Sequence, residues 1–280
     1  MIHYTDQIAR LMGDIVMRVP ALRFIDLNRL IVFGRAGRSS KGGPLATCHA
    51  VNQPPSAPTH YRWCDRRGRV VRRSEWFVVK SPSVSIRGTP IDYLISVALP
   101  RFCDQTLERS PKREFYAPRA ATPQVAKLDT IVHELYHIAP DSSGIRGLDG
   151  ATGDRPGRAH GPAFYRQVAA MVEQYLATGP PPELMDFLRH GARELVRRYG
   201  EVAATTFDSF PSFPQPYLVP LAQQPLPVED GPGVQIVQLT RARQRREYSE
   251  RHLQTRRFLP RTIQRGAVMT RRAPRYRELQ

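Results

Sequence analysis

Cysteine is scarce in this sequence: the 280 residues contain only three, Cys48, Cys64 and Cys103. An odd and sparse set does not support a disulfide scaffold and indicates a reducing compartment. Long apolar runs are also missing, since no stretch approaches the ~18 consecutive apolar residues of a transmembrane helix. The first residues, MIHYTDQIAR, lack the basic and apolar regions of a secretory signal. These absences predict a cytoplasmic protein without a membrane partner.

Acidic residues are outnumbered, because 42 Lys and Arg face 25 Asp and Glu, giving a formal net charge of +17. This balance indicates a polyanionic partner, nucleic acid before membrane, because no apolar helix face accompanies the densest basic segment. A solvated basic surface without a partner explains the charge equally well, since net charge governs nonspecific binding and not fold.

One short motif carries chemistry. The segment LDTIVHELYHIAP contains the pattern His-Glu-x-x-His at His133, Glu134 and His137. Random placement of 8 His and 12 Glu in 280 residues would produce this pattern about 0.01 times per chain. The motif therefore predicts a metal site, provided that the segment forms a helix.

The residues around the motif predict that helix. Thr122 can cap its start, Pro123 fits the first helical position, and Pro140 stops it. Apolar residues recur at spacings of three and four and would face a core: Val125, Leu128, Val132, Leu135 and Ala139.

The helix would place two imidazoles on one face. His133 and His137 lie one turn apart and can offer two nitrogens to one metal ion, with Glu134 beside them as a base and not as a ligand. Catalytic zinc usually takes three protein ligands, which predicts a third downstream. His160, which precedes a second helical pattern in GRAHGPAFYRQVAAMVEQYL, is the favoured candidate, and Glu173 in that pattern is the alternative.

The segments HELYH and HGPAF together resemble the SprT-like zinc peptidases, and more closely the small predicted metallopeptidases of phages and prokaryotes. The resemblance covers about residues 60–200. It implies one zinc ion per chain held by His133, His137 and His160, with Glu134 as the base. It also implies protein or peptide substrates, with DNA-associated proteins among them.

A second set of metal-binding residue types lies earlier in the chain, at Cys48, His49, His60 and Cys64. Their spacing differs from that of ordinary structural zinc sites, which pair ligands at short intervals. Buried thiols and loop histidines are therefore the favoured interpretation, and a structural zinc site is the alternative.

The pattern along the chain predicts an α+β fold, and the resemblance implies a zincin-like one in which a small sheet packs on the motif helix. Residues 5–19 and 182–199 have the apolar spacing of helices, and His190 in the latter is expected to be an ordinary exposed or half-buried histidine. The segments SEWFVVKSPSVSI and TPIDYLISVALPRF predict strands. By analogy with zinc peptidases, DYLISVALP is the strand expected to lie along the cleft and pair with substrate.

The resemblance and the composition together divide the chain into a SprT-like zinc domain (1–200), a Pro-rich linker (201–240) and an Arg-rich tail (241–280). Residues 208–232 contain seven prolines, and the tail contains 13 Arg against three Glu. Arginine suits phosphate binding, whereas a solubilising or protein-docking tail is the alternative. The candidate nucleic-acid-binding residues are Arg241, Arg243, Arg245, Arg246, Arg256 and Arg257.

The sequence thus predicts a zinc metallopeptidase that hydrolyses peptide bonds, with DNA as a further partner through the tail. The alternative is a nucleic-acid-binding interaction protein of a phage or mobile element whose zinc site is structural or catalytically idle. Tyr136, Arg158 and Tyr165 lie near the motif as candidate oxyanion stabilisers, and the sequence does not choose among them. It also does not indicate an oligomeric state.

Overall fold

The computed structural model describes residues 1–37, 43–58, 62–64, 70–73, 77–108, 110–116, 122–146, 160–208, 213–221 and 247–258, and of residues 62–64 and 70–73 the backbone alone. These residues form a mixed α+β structure. No helix among them is long and apolar enough to cross a membrane.

The helices are α1 (Tyr4–Arg18), α2 (Pro123–Tyr136), α3 (Pro162–Ala177), α4 (Pro182–Arg189) and α5 (Ala192–Tyr199). The strands are β1 (Ile2–His3), β2 (Leu30–Ala36), β3 (Ala46–Ala50), β4 (Arg62–Cys64), β5 (Val70–Arg73), β6 (Phe77–Lys80), β7 (Ser83–Ile86), β8 (Thr89–Pro90), β9 (Tyr93–Leu99), β10 (Val202–Phe207), β11 (Tyr217–Pro220), β12 (Glu247–Tyr248) and β13 (Leu253–Arg257).

A three-stranded sheet in the order β2-β9-β3 forms the centre of the molecule. β9 runs parallel to β2 and antiparallel to β3, and all seven of its residues are buried. One face, with Cys48 and Ile95, belongs to the main core together with α1, α2 and α3. The other face, with Phe33 and Leu94, belongs to a smaller core. Burial on both faces explains why β9 is a continuous apolar run and lacks polar alternation.

Helix α2 begins where its sequence predicts. The Thr122 hydroxyl accepts the backbone N–H of Val125 at 3.4 Å, and Pro123 occupies the first helical position. The predicted apolar stripe is buried at every position: Val125, Leu128, Val132, Leu135 and Ala139. The helix ends earlier than predicted, at Tyr136, because the chain turns back after His137 so that Ile138 pairs with Ile145.

The helix predicted over residues 182–199 is two helices, α4 and α5, separated at His190 and Gly191. Gly191 is extended (φ −74°, ψ 169°) and starts α5 as its N-cap. The buried Lys127 ammonium donates to two carbonyls at the end of α4, including that of His190 at 2.8 Å. The Asp104 carboxylate accepts the N–H of Ala192 at 2.8 Å. Hydrogen bonds from Lys127 and Asp104 therefore satisfy backbone groups that this break leaves at the end of α4 and the start of α5.

Strands beyond residue 200 belong to the same folded body. β10 lies between β1 and β13 in a second sheet, and β11 pairs with β6. Val202 and Phe258 are part of the main core, and Tyr248 is part of the smaller one. The segments predicted as linker and tail, beyond residue 200, therefore contribute strands to the fold.

The candidate arginines of the tail divide into two groups. Arg256 and Arg257 lie on β13, where the Arg256 guanidinium lies 5.8 Å from the centre of the Phe258 ring and Arg257 pairs with Glu201 at 3.2 Å. The other four, Arg241, Arg243, Arg245 and Arg246, lie outside the described residues. Residues 247–258 are thus not an independent tail, and nucleic-acid binding by these arginines stays a prediction.

Replacing Phe258 by alanine tests the place of β13 in the fold. The ring is 6% exposed and packs within the main core, so Phe258→Ala is expected to lower the free energy of unfolding by about 3–5 kcal/mol. Gln254→Ala, at an exposed position of the same strand, is the control and is expected to change little. Urea unfolding measures both, and equal midpoints for the two variants would contradict the packing of β13.

Candidate metal centre

Three histidines converge beside helix α2. His133 lies in its last turn, His137 is its C-cap residue, and His160 directly precedes the N-cap residue of α3, Gly161. One ligand atom from each ring lies within 4.8 Å of the others, and the Nε2 atoms of His137 and His160 are 3.0 Å apart. The three residues are therefore close enough to bind one metal ion.

Phe164, in the first turn of α3, holds this arrangement from one side. Its ring centre lies 4.9 Å from that of His133, 5.3 Å from that of His137 and 4.6 Å from that of His160. The apolar contact fixes the three imidazoles without competing for their nitrogens. In the sequence Phe164 appears as the last residue of the HGPAF segment, which did not indicate that its ring contacts all three histidines.

Burial keeps the three histidines uncharged. Desolvation lowers the pKa of His137 to about 4 and also lowers the pKa values of His133 and His160. The positive charge of Lys112 lowers all three further. Neutral imidazoles are the form that binds metal, so no proton has to leave before coordination at neutral pH.

The donor set fits a metal ion. Three imidazole nitrogens suit zinc and other borderline metals, and a three-ligand set leaves a coordination position open. Within the described ranges, these histidines form the one group of three or more His, Cys, Asp or Glu residues whose ligand atoms converge. Glu173, the alternative third ligand, is not a member of this group.

His190 is buried, contrary to expectation, with its ring nitrogens 3.4 Å from Asp186 and 3.1 Å from Glu194.

Glu134 lies beside the histidines and faces the central sheet. Its side chain is buried, and its Oε2 accepts the backbone N–H of Cys48 on β3 at 2.7 Å. Desolvation raises the pKa of Glu134 to about 7, although the Cys48 N–H and the charge of Lys112 oppose the shift. A carboxyl with a pKa near neutrality can both accept and return a proton, as a general base requires.

The histidines and Glu134 line a cleft of about 460 Å³ between β3 and α2. Leu45, Leu107 and Ile145 supply apolar wall, and Ile145 is 47% exposed. Lys112 lines the cleft near the histidines.

The strand along this cleft is β3, and the expectation that DYLISVALP lies there is wrong. Those residues form β9, which is paired on both edges and has no backbone groups left for a substrate. β3, like β2, is an edge strand of this sheet as far as the described residues show. Ala98 donates its N–H to the carbonyl of Leu45, and hydrogen-bonded pairs alternate along antiparallel strands. Leu45, Thr47 and His49 therefore bond to β9. The backbone groups of Ala46 and Cys48 point away from β9, toward the outer edge of the sheet.

Sequence reasoning missed a charged group behind His133. The Lys112 ammonium contacts the Asp129 carboxylate and lies 3.3 Å from His133 Nδ1. The Tyr116 hydroxyl donates to the other carboxylate oxygen of Asp129 at 2.7 Å. The sequence could have indicated Asp129, because it precedes His133 by one turn of the same helix. It could not have indicated Lys112 and Tyr116, because they belong to a separate segment of the chain.

The second predicted cluster is not assembled by the described residues. Neighbouring residues of a strand point to opposite faces, and Cys48 accordingly faces the main core while His49 contacts Phe33 and Phe213. The two side chains therefore lie on different sides of the sheet. His60 and the side chain of Cys64 lie outside the described residues.

The three candidate oxyanion stabilisers have separate positions. The Arg146 guanidinium lies over the Tyr136 ring, 4.2 Å from the centre of that ring. Tyr165 stacks on His160, with ring centres 6.0 Å apart. Arg158 lies outside the described residues. The structure thus brings Tyr165 close to a proposed ligand, although that contact is a ring stack.

Comparison with protein-family models, with curated proteins and with solved structures finds no match. The resemblance to SprT-like peptidases therefore stays a prediction from two short motifs, and the geometry of the site has to be tested directly.

Removing the third histidine tests the ligand set. His160→Ala deletes one of three converging donors and is expected to weaken binding of Co²⁺ or Zn²⁺ by more than about 100-fold, beyond the usual effect of outer-shell residues. Glu173→Gln, which changes the alternative ligand, is expected to leave the affinity unchanged. Competition against a chelator measures both variants. A loss of affinity in Glu173→Gln and none in His160→Ala would replace His160 by Glu173.

Proposed function

We propose that this protein is a zincin-like zinc metallopeptidase that hydrolyses peptide bonds. One observation carries the proposal: three neutral histidines converge at a cleft in which a buried glutamate lies against β3, an edge strand among the described residues. The combination joins a metal site, a base and a surface for an extended peptide. A purely structural metal site needs neither the base nor the open edge.

The zinc ion would be held by His133, His137 and His160. Bound zinc is a Lewis acid that lowers the pKa of water and polarises a carbonyl group. The chain supplies the ligands in their uncharged form, and Phe164 keeps the three rings in place.

Glu134 would act as the general base. Its carboxylate accepts a proton from the attacking water and returns it to the leaving amine. The hydrogen bond from Cys48 to Oε2 orients the carboxylate, and burial holds its pKa near 7, which suits both proton transfers. Because the residue follows His133 directly on α2, the base and the metal ligands share one rigid element.

The substrate would extend along β3. The outward N–H and C=O of Ala46 and the outward C=O of Cys48 can pair with an extended peptide, as strand addition to a sheet edge requires, whereas the Cys48 N–H already bonds Glu134. Leu45, Leu107 and Ile145 favour an apolar side chain in the cleft. The net charge of +17 and the SprT-like motifs favour substrates associated with DNA.

Replacing the base tests the chemistry. Glu134→Gln keeps the size of the side chain and removes the proton acceptor, so peptidase activity is expected to fall by about 10²–10⁴-fold while metal content stays at the wild-type level. Casein and a DNA-bound basic protein are the substrates, and Glu173→Gln is the matched control that should keep full activity.

The same assay separates the two predicted functions. Equal cleavage by wild type and Glu134→Gln would indicate a contaminating peptidase. Metal binding by the wild type without any cleavage of either substrate would favour the alternative, an idle or structural site.

Substitution at the edge strand tests the substrate path. Ala46→Pro removes an N–H that points away from β9, so the hydrogen bonds between β3 and β9 are all kept. We expect a raised KM for peptides with a smaller effect on kcat. Ala46→Gly keeps the N–H and is the control. A KM unchanged in Ala46→Pro, in a variant that unfolds at the wild-type temperature, would exclude pairing at this position.

A further inference from the structure

The Lys112 ammonium contacts His133, one of the three histidines proposed to bind the metal ion. Lys112 belongs to the short 3-10 helix Pro111–Tyr116, and its side chain is 15% exposed. It pairs with the fully buried Asp129 and lies 3.3 Å from Nδ1 of His133. Its charge also acts on His137, His160 and Glu134, so this cation belongs to the metal centre electrostatically.

The direction of the Lys112–His133 hydrogen bond is set by chemistry. A lysine ammonium has three donors and no acceptor, so His133 Nδ1 must accept and the ring proton must lie on Nε2. A neutral imidazole offers a metal only the nitrogen that carries no proton.

Both nitrogens of His133 lead to the same conflict. A metal ion at Nδ1 would take the lone pair that the ammonium occupies. A metal ion at Nε2 would move the ring proton to Nδ1, where it would point at another donor. In either case the contact between Lys112 and His133 and the coordination of metal by His133 exclude each other.

We propose that metal binding displaces the Lys112 ammonium from His133 into the cleft, while Asp129 becomes the acceptor for the His133 ring. This inference rests on the metal site of the proposed function and not on peptidase activity. Two contacts guide the displaced side chain: Lys112 already lines the cleft, and its ammonium lies 5.3 Å from the centre of the Tyr165 ring. The displaced ammonium then lies free of the His133 ring, where it can donate to a substrate carbonyl in the cleft.

The displacement can be measured on the wild-type chain by amine labelling. The sequence contains four lysines, Lys41, Lys80, Lys112 and Lys127, so peptides separate them in a mass spectrometer. We expect the acetylation rate of Lys112 to rise at least about tenfold when Zn²⁺ is added to chelator-treated protein, because the ammonium leaves its buried pair. Lys80 is the internal standard, and the fully buried Lys127 should stay unreactive.

Variants test the same competition through metal affinity. Lys112→Met removes the competing cation and is expected to bind Zn²⁺ about tenfold more tightly, whereas Asp129→Asn removes the acceptor and is expected to lose about 10–100-fold. Lys112→Arg keeps the charge and should stay near wild type. Because Lys112→Met leaves Asp129 buried without its cation, the double variant Lys112→Met/Asp129→Asn, which removes both charges, controls for misfolding.

Three results would overturn the proposal. The first is a Lys112 labelling rate that does not change with Zn²⁺. The second is weaker metal binding in Lys112→Met, which would make Lys112 a support for His133 and not a competitor. The third is a wild-type protein that binds no metal, in which case the proposed function fails as well. Metal-dependent labelling without peptidase activity would support this inference and contradict the proposed function alone.

Discussion

The hydrogen bond between the Cys48 N–H and the Glu134 carboxylate joins the two walls of the cleft, and the site depends on it. Helix α2 is attached to the sheet along its apolar stripe, which fixes the direction of the helix but not the polar groups on its open side. The bond adds the missing constraint, because it places the carboxylate at the free edge of β3. His133 and His137, on either side of Glu134 along α2, are thereby oriented toward the space in front of that edge.

Desolvation acts on the acid and the bases of this site in opposite directions. It raises the pKa of Glu134 and lowers the pKa values of the three histidines, because burial disfavours whichever form is charged. One cause therefore leaves neutral metal ligands and a carboxyl near its titration point in the same cleft. Lys112 lies beside these groups and pairs with the buried Asp129.

Features encoded by neighbouring residues were predictable from the sequence. The Thr122 cap and the buried stripe of α2 follow from spacing along one helix. His160 was a candidate because catalytic zinc usually takes a third protein ligand and the segment before α3 offers one. Features that depend on partners far away in the chain were not. The role of β9 depends on strand order, because an apolar strand has the same composition at an edge as at a centre. The helix break at His190 depends on Lys127 and Asp104, and the position of Lys112 depends on a segment that carries no motif of its own.

The pairing of β10 with both β1 and β13 has a consequence for synthesis on the ribosome. Residues near the start of the described chain and residues 253–257 bind opposite edges of one strand, so the second sheet acquires its last strand only after those residues leave the exit tunnel. Contacts this distant in sequence also form slowly. The nascent chain can thus form helices α2 and α3, which position the three histidines, before β13 completes the second sheet.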